Sequence, residues 1–264
     1  MQKLSEINPQ SKTLYFDLQA DFGFTKHMGG LKATRRLAEM CSLQPGKVVL
    51  EVGCGIGVTP CILAKQYACQ VMAVDISEKM VARTAVRVRK QKLDGLVEVR
   101  TGDAQALPFE DNTFDVVVSE SVLAFVKDKS KAASEYVRVL KPGGYVGLNE
   151  AIWLKPSSAE LVDYAGLLMA GADFLTMDGC SDLLEDADLE DIATSVYTFN
   201  AFNQYLEEMR TLDVREYAQA WYRFMTQSFS NPAYRQFTKA ALRSPRLMFA
   251  FINSIGYGVF AGRK

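Results

Sequence analysis

Histidine is almost absent from this chain, with a single residue, His27, in 264. The five cysteines, Cys41, Cys54, Cys61, Cys69 and Cys180, form no C-x-x-C pair. With one histidine there is also no Cys/His cluster of metal-ligand spacing, so no metal is expected. The odd cysteine count and a polar start, Met1-Gln2-Lys3-Leu4-Ser5-Glu6, without the pattern of a secretory leader, point to free thiols in a reducing, cytoplasmic compartment. No stretch reaches the roughly 18 to 20 apolar residues of a membrane span. Net charge is lacking too: 30 basic against 31 acidic residues leave −1. No global field then draws phosphates or anionic lipid, and nucleic acid is not expected as a partner. Neither an internal repeat nor a low-complexity tract interrupts the chain. What is present, 48% apolar and 23% charged residues, suits one large α/β domain or two small ones with a real core.

Punctuation and periodicity divide the chain. Gly29-Gly30 marks the start of a helix over 31–40, and Pro45-Gly46 opens the first strand. An alternating series follows: strand 47–52, helix 58–67, strand 70–75, helix 77–91, strand 96–101, strand 114–119, helix 129–139 and strand 144–153. Ser77 is placed to cap the second of these helices, and Lys141-Pro142-Gly143-Gly144 to end the third. Strands alternating with helices imply a parallel sheet covered on both faces. Beyond Pro156 the reading is mainly helical: 158–170, a loop through Gly171 and Gly179, a short acidic helix 181–187, a strand 192–199 and helices over 201–242. Residues 255–263 return to strand composition.

The densest signal is Val48-Val49-Leu50-Glu51-Val52-Gly53-Cys54-Gly55-Ile56-Gly57-Val58, an apolar strand running into three alternate glycines. Such a loop turns tightly and lets a ligand approach the backbone where a Cβ would block it. The dinucleotide fingerprint G-x-G-x-x-G has its third glycine one residue later, where this chain has Val58, and Glu51 would sit badly beside a pyrophosphate. A cofactor carrying an amino group and a sulfonium suits that carboxylate better. A second acid, Asp75, ends the second strand about 20 residues after the loop, where a carboxylate can accept from a ribose diol. It can alternatively help to start the next helix.

The E-x-G-x-G-x-G segment, Asp75, the run Gly102-Asp103-Ala104 with Leu107-Pro108-Phe109, Phe114-Asp115-x-Val117-x-Ser119 and Leu140-Lys141-Pro142-Gly143-Gly144 occur in order. Together they resemble the motifs of class I S-adenosylmethionine (SAM)-dependent methyltransferases of the small-molecule, type-11 kind, over about residues 46–153. The resemblance implies a doubly wound, seven-stranded, mostly parallel sheet, Rossmann-like, whose last strand inserts antiparallel beside the fifth. Its division would be an N-terminal helical lid at 1–45, a SAM-binding core at 46–157, remaining core elements with a helical substrate cap at 158–254, and a final strand at 255–264. It implies SAM as cofactor and S-adenosylhomocysteine as product. Glu51, Gly53, Cys54, Gly55 and Gly57 would bind the cofactor, Glu51 at its methionine end, with Asp75 on the ribose, Ile76, Asp103 and Ala104 at the adenine, and Ser119 at the methionine portion where the site opens towards the acceptor. Asp103 can equally be a turn residue.

Methyl transfer from a sulfonium needs alignment more than acid–base help, and a base only for a protonated acceptor. His27, in an H-x-G-G entry segment, is a candidate for proton transfer, for holding the cofactor, or for neither. Glu120 and Glu150 follow the fourth and fifth strands and can bind a cationic acceptor or take its proton, or be plain strand-end carboxylates. Aromatic side chains of the cap, from Phe202 and Tyr205 through Trp221 and Tyr222 to Phe249 and Phe251, suggest an apolar or aromatic small-molecule acceptor, or else the cap's own core. Two other readings stand beside this one: methylation of arsenite or another soft metalloid, for which only Cys180 lies in the cap, and a SAM-binding protein without activity.

Overall fold

The computed structural model describes residues 28–169, 171–199 and 244–264, with residues 215, 218, 219, 221, 222, 225 and 226. His27 lies outside the described residues, as do most of the helices expected over 201–242 and Phe202, Tyr205, Met209, Tyr217, Phe224 and Phe229 of the cap.

Seven strands form one sheet: β1 (Val48–Val52), β2 (Gln70–Asp75), β3 (Val97–Thr101), β4 (Phe114–Glu120), β5 (Leu140–Trp153), β6 (Glu190–Thr198) and β7 (Ile255–Arg263). Their order is β3-β2-β1-β4-β5-β7-β6. The first five are parallel, and β7 runs antiparallel between β5 and β6. Insertion between two partners buries β7 almost end to end, whereas β6, at the edge, is buried nowhere along its length. Because chain order reverses between β1 and β4, a crevice opens above their carboxyl ends, the place where open α/β sheets take ligands.

Alternation along the buried strands separates two apolar layers. Val49, Val71, Val116, Val118 and Val259 face helices α1 (Gly30–Met40), α2 (Val58–Tyr67) and α3 (Glu78–Lys90). Leu50, Val52, Val117, Leu148 and Phe260 face α4 (Lys129–Val139) and α6 (Met177–Glu185). Helix α1 lies on the sheet through Ala33, Thr34, Leu37 and Ala38, a stripe at helical spacing. Ser77 caps α3 as its sequence position suggests, its hydroxyl accepting the Met80 N–H at 3.4 Å. Asp128 does the same for α4. Two further helices, α5 (Ala159–Leu168) and α7 (Pro245–Ser254), pack against each other beyond the end of β5.

Two starts differ from those read in the sequence by four residues, and one turn was not anticipated. Strand β5 begins at Leu140 rather than at 144, because Leu140 pairs with Phe114 and the Pro142-Gly143-Gly144 run is taken up as a register shift, with Gly143 in the left-handed region at φ 77°. Helix α6 starts at Met177 and runs through Gly179, since the Thr176 hydroxyl caps it by accepting the Gly179 N–H. A 3-10 turn at Leu123–Phe125 had no signal of its own. Among the described residues no helix is long and apolar enough to cross a membrane.

Candidate functional site

The glycine loop crosses the carboxyl end of β1 and is pinned from below. The N–H groups of Gly53 and Cys54 both donate to the Val74 carbonyl, at 2.8 and 2.9 Å. Gly57, at φ 82°, enters α2 so close to α3 that a Cβ would stand 2.9 Å from the Thr84 Cα, a contact no side chain can make without moving backbone. Gly55 is the opposite case. Its Cβ would meet nothing within 4 Å, so the backbone here borders open space that a ligand can fill. Cys54 is buried, its sulfur 3.5 Å from the Thr84 hydroxyl, and burial pushes its thiol well up; small size rather than nucleophilicity suits it to the loop.

Asp75 stands beside that space. One carboxylate oxygen accepts the Gly55 N–H and the other the Ser77 N–H, both at 2.9 Å, so the side chain serves the loop and the start of α3 together. Burial raises its pKa, against the pull of those N–H groups and that of Ile76. Each oxygen keeps a lone pair for a further donor. Ile76 follows with 66% of its surface exposed, an apolar face beside the cradle. Asp103 accepts from the N–H and the side-chain amide of Gln105, at 2.9 and 3.2 Å, and so shapes its own turn; Ala104 beside it is buried.

The other side of the crevice is a buried polar cluster on the α1–α2 face. Glu120 accepts from the Thr59 hydroxyl at 2.9 Å, from the Asn149 amide at 2.9 Å, and from the Thr34 hydroxyl, which lies 3.0 and 3.2 Å from its two oxygens. Three elements, α1, α2 and β5, thus meet on one carboxylate of β4. Asn149 donates in addition to the Met28 carbonyl at 2.9 Å. Glu51 shares this face, yet its Oε2 is buried with no partner among the described residues, and so is Oδ1 of Asn149. Burial first, then Glu120 and Asp75, push the Glu51 carboxyl well above its usual range.

Glu150 points to the opposite face. Its Oε1 accepts the N–H groups of Val122 and Leu123, at 3.0 and 3.1 Å, and so caps the 3-10 turn, while Oε2 is buried without a partner among the described residues. Burial raises its pKa to about 7 in spite of those donors. Glu120 and Glu150 are therefore both buried and hydrogen-bonded, neither being a solvated strand end. The Ser119 side chain does not join Glu51 and Glu120: it lies on the α4 face, 3.5 Å from the Tyr136 hydroxyl. Ser121, two residues on, holds φ 60°, strained for a serine, and turns Val122 back onto Gly53.

Thr34, Thr59 and Asn149 escaped the sequence reading. Each is a polar residue inside an apolar stripe or run, and that mismatch was the available signal. At the end of β5, Trp153, Phe174 and Phe251 meet with ring centroids 5.8 to 6.3 Å apart, in one apolar cluster with Leu161 and Tyr164 of α5. Trp221, Tyr222 and Met225 are helical and exposed.

Comparison with known proteins agrees with this geometry. Residues 50–148 match a family described as "Methyltransferase domain". Phosphoethanolamine N-methyltransferase 1 of Arabidopsis thaliana is 31% identical over 186 residues, 70% of this chain and 36% of the relative. The chain spans 47% and 36% of the first two curated relatives that it matches. Among solved structures, phosphoethanolamine N-methyltransferase 2 of Haemonchus contortus in complex with S-adenosyl-L-methionine superposes with a TM-score of 0.73 at 25% identity, covering 96% of this chain and 57% of that one. The cyclase SpnF superposes with a TM-score of 0.75 at 21% identity, over 97% and 95% of the two chains, a likeness of fold alone. The glycine loop and strand-end acids lie in or beside the matched stretch, and residues 50–148 form a methyltransferase domain of the kind that uses SAM, within a sheet of the class I methyltransferase order.

Proposed function

We propose that this protein transfers the methyl group of SAM to a small-molecule acceptor by in-line displacement, leaving S-adenosylhomocysteine. The observation that carries the reading is the pairing of an open cradle at Gly55 with an unserved buried acceptor, Oε2 of Glu51, on the same strand-loop unit. A buried acceptor without a donor calls for an explanation, and the cationic amino-acid end of SAM supplies one. When bound, SAM supplies an electrophilic methyl group on a good leaving group. The chain's own part is to hold and exclude: Asp75 has lone pairs for a ribose diol, Ile76 offers a surface for adenine, and Asp103 with Ala104 borders its edge. Alignment in a water-poor crevice then supplies most of the acceleration.

The acceptor, on this reading, meets the Trp153–Phe174–Phe251 wall under a cap drawn from residues 158–254, which favours an apolar or aromatic molecule. Five free, buried thiols accord with work in a reducing, cytoplasmic setting. The metalloid alternative gains nothing, since Cys180 is packed in the α4–α6 layer and Cys41, Cys54, Cys61 and Cys69 in the other. Titration calorimetry tests the cofactor assignment. Asp75→Ala should weaken SAM binding roughly a hundredfold or more, two charge-assisted hydrogen bonds being lost at about 1.5–3 kcal/mol each. Unchanged affinity would overturn it.

A further inference from the structure

Two buried acids share one face of the crevice and differ in what reaches them. Glu120 is served by Thr34, Thr59 and Asn149 on both oxygens, an arrangement built for a carboxylate. Glu51, 2% exposed, has an oxygen that no described group serves. Of the elements packed around Glu51, β2 presents Asp75, β4 Glu120, the glycine loop Cys54 and α2 Cys61. These are two acids and two thiols, and no cation stands among the described groups that act on its charge. Neighbouring carboxyls in one dry pocket cannot all ionise cheaply, and the one with fewest donors keeps the proton.

We propose that Glu51 is a neutral acid in the cofactor-free protein and ionises when the ammonium end of SAM enters, so that cofactor binding releases a proton to solvent. The proposal rests on the reading of this site as a SAM site. The balance is simple: the O–H bond of Glu51 breaks, its proton passes to buffer, and the new carboxylate faces the ligand's cation. Burial and the two neighbouring acids, which push the Glu51 carboxyl up, support it independently of the hydrogen-bond pattern. The device makes the pocket neutral when empty and anionic only when a cation is there to meet it.

Calorimetry of SAM binding to the full chain at pH 6.5, in two buffers of very different ionisation enthalpy, counts the protons. At that pH the ligand's own amino group, with a usual pKa of about 7.7–8.0, stays charged. About one proton should be released, and affinity should rise about tenfold per unit between pH 5.5 and 6.5. Glu51→Gln should abolish both effects while still binding. 5′-Deoxy-5′-methylthioadenosine, which lacks the amino-acid end, should bind without releasing a proton. Buffer-independent enthalpy for SAM, or release by the truncated nucleoside as well, overturns the proposal. A wild-type chain that binds no SAM in any buffer overturns instead the cofactor assignment on which it stands.

Discussion

The two ends of the crevice are built on opposite plans. At the cofactor end, over β1 and β2, the surface is backbone and carboxylate: Gly55 borders open space, Asp75 has spare lone pairs, and Glu51 keeps an unserved oxygen. At the other end, over β5, where the acceptor is proposed to bind, the rings of Trp153, Phe174 and Phe251 fill the space with each other. The first region is incomplete without a ligand and adds little to the core. The second is part of the core and must yield room to any acceptor. Stability and cofactor affinity should therefore be separable, each lodged mainly at its own end.

Trp153→Ala tests that separation with the largest expected effect. Trp153 is 7% exposed and joins β5 to α7 and the 172–176 loop. Truncation should cost roughly 3–5 kcal/mol in thermal or urea unfolding. SAM affinity, measured well below the melting temperature, should stay within about threefold of wild type, a shift of about 0.65 kcal/mol. A parallel fall in affinity would mean that the two ends form one cooperative unit.

Glu150 sits between the ends, holding the β4 exit turn that lays Val122 against Gly53. Its folded pKa of about 7 lies above the unfolded value near 4.5, the effect of burial. The folded state thus binds the proton more tightly. The associated stability is fully present below about pH 4.5 and is lost as pH rises through 7, a loss of roughly 3 kcal/mol. Glu150→Gln cannot titrate, so its melting temperature should lose less than that of wild type between pH 5 and 8. Parallel pH profiles for the two proteins would place the titration elsewhere.

The cofactor end was readable because its grammar is local. A strand, three alternate glycines and an acid some 20 residues on lie within one β-α-β unit, and short-range spacing fixes their geometry. The seven-stranded sheet and its antiparallel last strand beside the fifth followed from the same resemblance. The acceptor end depends on residues 153, 174 and 251, which no periodicity links. Glu120 shows the difference within one side chain. Its place at the end of the fourth strand marked it as near the site, but Thr34, Thr59 and Asn149 come from three distant elements, and only the packed fold turns a candidate base into a hydrogen-bonded hub. The Leu140 start of β5 escaped for a like reason: pairing with Phe114 overrode the breaker chemistry of Pro142-Gly143-Gly144.

Ile76 supplies the smallest test, and the mirror image of Trp153. Being 66% exposed, it contributes little to the core, and its replacement by alanine should change stability by no more than about 0.5 kcal/mol. If an adenine ring lies on it, the bound state buries one or two of its methylene-sized groups, at about 0.8 kcal/mol each. Ile76→Ala should then weaken SAM binding by roughly fourfold to fifteenfold, while methionine, which cannot reach the adenine subsite, binds no differently. Equal affinities of wild type and variant for SAM would detach Ile76 from the cofactor, leaving the Asp75 side of the cradle without its apolar floor.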